Sequence, residues 1–174
     1  MRLTVNGRPV ERELPREATL LHLLRNDLQL NGPKYGCGLG QCGACMVLID
    51  GVAARACVIP ARGVEGRSIT TLEGLGDAAR PHPVQQAFID CQAAQCGYCL
   101  NGMIVATVAL LARTPAPSDD DARAALSHNL CRCGTHVEIL AAVQRAAVLM
   151  AAARLASAPP SPSPSPSPAP AATA

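Results

Sequence analysis

Gly36-Cys37-Gly38-Leu39-Gly40-Gln41-Cys42-Gly43-Ala44-Cys45 decides how this chain is built. The stretch follows neither the helical nor the strand apolar period, so it reads as a loop. With Cys57 its cysteines are spaced C-x4-C-x2-C-x11-C. That is the plant-type [2Fe–2S] ligand spacing. One loop wraps the cluster with three sulfurs, and the fourth arrives from a separate strand. Gly36, Gly38, Gly40 and Gly43 allow tight curvature with positive φ. They also let backbone N–H groups approach, which stabilises anionic sulfur and helps set the reduction potential. Zinc competes, because four thiolates suit a tetrahedral ion, but zinc usually takes its ligands as two short knuckles.

The flanks read as a small strand-rich unit. Leu3 and Val5 alternate, Asn6-Gly7 offers a type I′ turn, and Val10, Arg12 and Leu14 continue the alternation. Thr19 to Asp27 has Leu20, Leu23, Leu24 and Leu28 at helical spacing, with Thr19 as the N-cap. Met46 to Ile49, the turn Asp50-Gly51 and Val52 to Val58 predict a second hairpin, with Cys57 at its end. Ser68 to Leu72 predicts a short strand.

Beyond Gly74 to Pro83 the pattern turns helical. Helices are predicted over Val84 to Ala93, Gly102 to Arg113, from the Ser118 cap to about His128, and over Val137 to Leu155. Four more cysteines fall here as two short pairs. Cys96 and Cys99 precede one helix, and Cys131 and Cys133 precede another. Helix N-termini supply free N–H groups and positive dipole, which suit an anionic cluster. By spacing alone zinc stays a fair competitor here. A local echo favours iron: Gln41-Cys42-Gly43-Ala44-Cys45 and Gln95-Cys96-Gly97-Tyr98-Cys99 share Q-C-G-x-C. Cys91 reads as a packed apolar thiol. His22, His82, His128 and His136 show no metal spacing.

These readings divide the chain into residues 1–76, a ferredoxin-like domain, 77–156, a helical domain, and 157–174, a disordered Ser/Pro/Ala tail. Among 174 residues, aromatics are 2%, which leaves no base-stacking platform. The formal charge of +2 gives no phosphate-neutralising footprint, so nucleic acid is not expected as a partner. No run of eighteen apolar residues predicts a membrane span. Nine cysteines, an odd number, at tight spacings point to reduced, metal-binding thiols. Met1 to Leu14 alternates and lacks the apolar core of an export signal, so a cytoplasmic location is expected. Periplasmic co-export on a partner's signal stays open.

Lys34-Tyr35-Gly36-Cys37-Gly38 through Cys45, Gln95 through Cys99, and Asn129-Leu130-Cys131-Arg132-Cys133-Gly134 resemble the small iron–sulfur subunit of the xanthine oxidase family of molybdenum hydroxylases. The resemblance spans roughly residues 2 to 150 and looks most like the isoquinoline oxidoreductase, nicotinate dehydrogenase and aldehyde dehydrogenase types. It implies an α+β fold, with an N-terminal β-grasp plant-type ferredoxin domain and a C-terminal four-helix bundle. It implies two [2Fe–2S] clusters. Cys37, Cys42, Cys45 and Cys57 would hold the solvent-side one, and Cys96, Cys99, Cys131 and Cys133 the one nearer molybdenum. Gln95 and Cys133 would lie beside the molybdopterin of a large partner subunit. The chain departs from the family at His128, where Gly is usual, and at Cys91, where a polar residue is usual.

The expected role is therefore an electron relay. The molybdenum-binding partner oxidises an N-heterocycle or an aldehyde, and electrons pass through both clusters to a cytochrome or flavoprotein. No nucleophile or acid–base constellation suggests bond chemistry on this chain, and no G-x-G-x-x-G follows a strand to hold a flavin. A free ferredoxin-like carrier is the alternative; it would need only the first domain. A zinc-stabilised binding module is the third reading, and it would be colourless.

Overall fold

The computed structural model describes residues 1–157. The predicted Ser/Pro/Ala tail lies outside the described residues from 158 onward. Strands β1 (Arg2–Val5) and β2 (Arg8–Glu11) pair antiparallel. Asn6 and Gly7 join them at φ 50° and 76°, as a type I′ turn requires. Strands β3 (Met46–Ile49) and β4 (Val52–Arg55) repeat the device across Asp50 and Gly51, at φ 47° and 81°. The strand β5 (Ser68–Thr70) runs parallel to β1 and antiparallel to β3. The mixed sheet is ordered β2-β1-β5-β3-β4.

The sheet grips a short helix. Thr19 caps α1 (Leu20–His22), its hydroxyl accepting the His22 N–H at 3.2 Å. The predicted single helix instead widens into a π-helical turn over Leu23–Asp27, where the Leu28 N–H reaches Leu23 O at 3.0 Å. Gln29, at φ 55°, then ends it. Leu20, Leu23 and Leu24 are buried against Leu3, Val5, Val47, Ile49 and Ile69. Each such side chain contributes about 1.5–3 kcal/mol by leaving water.

A single turn, α2 (Leu72–Leu75), leads to the helical half. His82 caps α3 (Pro83–Asp90), and Gln85 reciprocates on the His82 N–H at 2.8 Å. Ser118 and Asp121 form the same reciprocal box at α5 (Asp119–Leu126), in line with the predicted cap. With α4 (Leu100–Arg113) and α6 (His136–Ser157) these make a bundle. Its core holds Val84, Phe88, Met103, Leu111, Ile139 and Ala142. By length and composition α6 could cross a bilayer. Within this bundle its Ile139, Ala142, Val143 and Ala146 are instead spent on packing.

The two halves share a core. All four β3 residues are buried, which explains its uninterrupted apolar run. Val47 and Ile49 face α1, while Met46 and Leu48 face Val105, Ala106 and Ala109 of α4. The helical half is therefore bolted to the sheet rather than tethered to it.

Candidate metal centres

The first cysteine set is built by the Gly-rich loop and the turn after β4. Cys45 and Cys57 are buried in the sheet core, at 2% and 8% exposure, while Cys37 and Cys42 are half-buried. The Cys37 sulfur accepts N–H groups from Leu39 (3.3 Å), Gln41 (3.3 Å) and Cys42 (3.4 Å). Cys37 N–H in turn donates to the Cys42 sulfur at 3.4 Å. Amides aimed at sulfur are the donors an anionic iron–sulfur cluster needs. Gly38, Gly40 and Gly43 adopt positive φ as expected, but Gly36 does not. Gly36 is needed for space: a Cβ there would stand 2.6 Å from the Cys42 sulfur.

The second set comes from two helix starts. Cys96 and Cys99 lead into α4, with Cys99 at its N-cap, and Cys131 and Cys133 lead into α6. The Cys133 thiol donates to the Cys96 sulfur at 3.4 Å, and Cys131 lies 3.5 Å from the Thr135 hydroxyl. Cys96 and Gln95 are exposed. Around them Tyr98 and Leu130 present apolar surface, 47% and 63% exposed. All nine cysteines are free thiols. Among the described residues no three Cys, His, Asp or Glu side chains gather around one ion position. The thiols instead touch in pairs, Cys45 with Cys57, Cys96 with Cys133 and Cys99 with Cys131, and a two-iron cluster takes two thiolates on each iron.

Each set pairs an easily ionised thiol with a resistant one. Amide N–H groups of Gln41, Leu39 and Cys42 hold the Cys37 thiol down at about 6. Burial pushes Cys45 up to about 12. In the second set burial opposes ionisation of Cys131, but the Thr135 hydroxyl and the Thr135 and Gly134 amides outweigh it and hold the thiol at about 6. Burial, with the Cys131 thiol, pushes Cys99 up to about 12.

The two sets meet. A cavity of about 210 Å³ is lined by Cys37 and Cys42 of the first, by all four cysteines of the second, and by Gly36, Ala44 and Tyr98 between them. Leu130 N–H donates to Cys42 O at 3.0 Å, so one hydrogen bond joins a residue of one set to the neighbour of Cys131 in the other. The Tyr98 hydroxyl donates to Tyr35 O across the same seam. Asn101, 2% exposed, donates its amide to Ala44 O and Met46 O at 2.9 and 3.0 Å, clamping the backbone on both sides of Cys45. Sequence reasoning gave no role to Asn101, and Asn129 entered it only as part of the Asn129-Leu130-Cys131 segment. The available signal was a polar Asn101 inside an otherwise apolar helix. His128 is accommodated because its carbonyl, not its side chain, faces Gly43, and the side chain is exposed. Cys91 ends α3 and packs at the edge of the bundle core.

A sheet domain and a helical bundle, each presenting four thiols, define a two-cluster iron–sulfur electron-transfer protein. Residues 3–69 match the 2Fe-2S iron-sulfur cluster binding domain, and residues 71–144 match the [2Fe-2S] binding domain. The chain is 71% identical to a nicotinate dehydrogenase subunit of Pseudomonas putida, over 83% of this chain and 92% of that one. It is 50% identical to the alpha subunit of isoquinoline 1-oxidoreductase of Brevundimonas diminuta, over 82% and 94%. Among solved structures, quinoline 2-oxidoreductase from Pseudomonas putida 86 superposes with a TM-score of 0.82 at 40% identity, over 88% of this chain and 96% of that one. The chain belongs to the iron–sulfur subunits of the xanthine oxidase family of molybdenum hydroxylases. It is an electron-transfer subunit with two [2Fe–2S] clusters, and its large partner subunit carries the molybdopterin.

Proposed function

We propose that Cys37, Cys42, Cys45 and Cys57 hold the cluster that hands electrons onward, and that Cys96, Cys99, Cys131 and Cys133 hold the one that receives them. When bound, the clusters accept and release single electrons. The shared cavity carries this reading, because Cys37 and Cys42 of one set line it together with all four cysteines of the other. Exposed Gln95 and half-buried Cys133 then contact the partner's molybdopterin, beside the apolar surface of Tyr98 and Leu130. That surface excludes water once the partner docks.

The substrate we propose for the complex is an aromatic N-heterocycle of the nicotinate class. Its support is the 71% identity to a nicotinate dehydrogenase subunit. Aldehydes are the second class, supported by 42% identity to the PaoA subunit of Escherichia coli aldehyde oxidoreductase. The acceptor we propose is a cytochrome or flavoprotein, and the proposed location is cytoplasmic, in keeping with Cys91, a thiol outside both sets that forms no disulfide. Purified complex assayed with nicotinate, isoquinoline and an aromatic aldehyde decides the substrate: nicotinate is oxidised fastest, and a preference for the aldehyde overturns that assignment. Fractionation of producing cells decides the location, and activity in the periplasm overturns it. For the ligand sets, dithionite-reduced complex shows two distinct EPR signals, and Cys45→Ser abolishes one of them. Retention of both signals in that variant overturns the assignment.

A further inference from the structure

We propose that Arg55 raises the reduction potential of the cluster held by the Gly-rich loop, acting as a positioning residue for the onward electron. The inference rests on the reading that Cys37, Cys42, Cys45 and Cys57 are the ligands of that cluster. Arg55 closes β4, two residues before Cys57, and sits opposite Met46 in the hairpin register. Its Cδ lies 3.8 Å from where a Cβ on Gly40 would stand, so its stem runs against the loop between Cys37 and Cys42. The next atom, Nε, is buried and has no hydrogen-bond partner. None of the ion pairs among the described residues includes Arg55.

A buried N–H on a charged group is costly to leave unpaired. A cluster held by Cys37, Cys42, Cys45 and Cys57 would give Arg55 Nε the acceptor it lacks. One-electron reduction takes the cluster with its four thiolates from about −2 to about −3, with no bond made or broken. A fixed cation and an N–H beside it favour the more negative state, which raises the potential. Arg132 flanks the second set but is exposed, so water screens it. Arg55 thus biases the pair of clusters so that electrons settle on the loop side.

The test is an EPR-monitored redox titration of the intact complex with wild-type chain, Arg55→Lys and Arg55→Gln. Arg55→Lys loses the Nε–H and keeps the charge; Arg55→Gln loses both. One of the two signals moves to a lower midpoint potential in Arg55→Lys and lower still in Arg55→Gln, while the other stays at its wild-type value. An unchanged or higher midpoint in Arg55→Lys overturns the proposal, as does an equal shift of both signals. Should Arg55→Gln fail to hold iron, Arg55→Lys decides alone. Iron content separates this failure from the failure of the ligand reading: full iron with no shift rejects Arg55 only, whereas a wild-type complex with a single cluster rejects the reading beneath it.

Discussion

The two Q-C-G-x-C segments share a backbone turn and live in opposite surroundings. Gly43 and Gly97 both adopt a left-handed conformation, at φ 75° and 77°. Around Gly43 space is exhausted: a Cβ would stand 2.4 Å from the Asn129 amide and 3.0 Å from His128 O. Around Gly97 nothing lies within 4 Å. The first segment is sealed by the helical half of its own chain, and its last cysteine is part of the sheet core. The second is left open at the surface, with an exposed Cys96 beside apolar Tyr98 and Leu130. The same local motif can therefore end sealed inside the chain or open at its surface, and the neighbour decides which.

Removing a proposed ligand is the most severe way to break this comparison. Cys45→Ser should cost half the iron and at least ~100-fold in turnover, since even residues that only support metal ligands cost 10–100-fold. Cys133→Ser should also cut partner-dependent turnover, while Cys91→Ser stays near wild type; equal losses at Cys133 and Cys91 would contradict the assignment. Alkylation of iron-stripped protein at pH 7 should come next. Cys37 and Cys131, near 6, are mostly thiolate there and label early, with rates rising through pH 6. Exposed Cys96, whose thiol the Tyr98 amide also lowers, labels together with them. Cys45 and Cys99, near 12, label last. Mass spectrometry of the labelled peptides reads the order, and it sharpens the claim that each set mixes ready and resistant thiols.

Glycine replacement tests the packing difference directly. Gly97→Ala should cost about 1–2 kcal/mol of left-handed strain. Gly43→Ala adds overpacking against Asn129 and the His128 backbone, for about 2–5 kcal/mol in all. Thermal unfolding that shows equal losses would erase the contrast. The smallest effect is at His82, whose Nδ1 accepts the Val84 N–H at 3.2 Å and whose basicity is lowered from 6.5 by burial. As pH falls below 6.5 the unfolded chain takes this proton first, so stability declines there. His82→Asn keeps a capping oxygen and should flatten that part of the stability–pH curve.

Much of this architecture could be read from residue order. Asn6-Gly7 and Asp50-Gly51 announced both hairpins because only a few residue types tolerate left-handed φ. Thr19 and Ser118 announced their helices because their side chains replace missing N–H partners. Less was legible where partners are distant in the chain. Met46-Val47-Leu48-Ile49 read as one arm of a hairpin, with nothing to say that α1 covers one face of β3 and α4 the other. Asn101 gave no hint that it holds the carbonyls of Ala44 and Met46, because it lies more than fifty residues away.

Residue order alone pointed to the cysteine-bearing loops and their turns, since ligand spacing and glycine conformation act over a few bonds. Tertiary structure alone decided that the two groups share one cavity and one Leu130–Cys42 hydrogen bond. That relation depends on Met46 and Leu48 packing against Val105, Ala106 and Ala109. Burial of apolar surface is non-directional, so no local pattern specifies which two remote faces it will join.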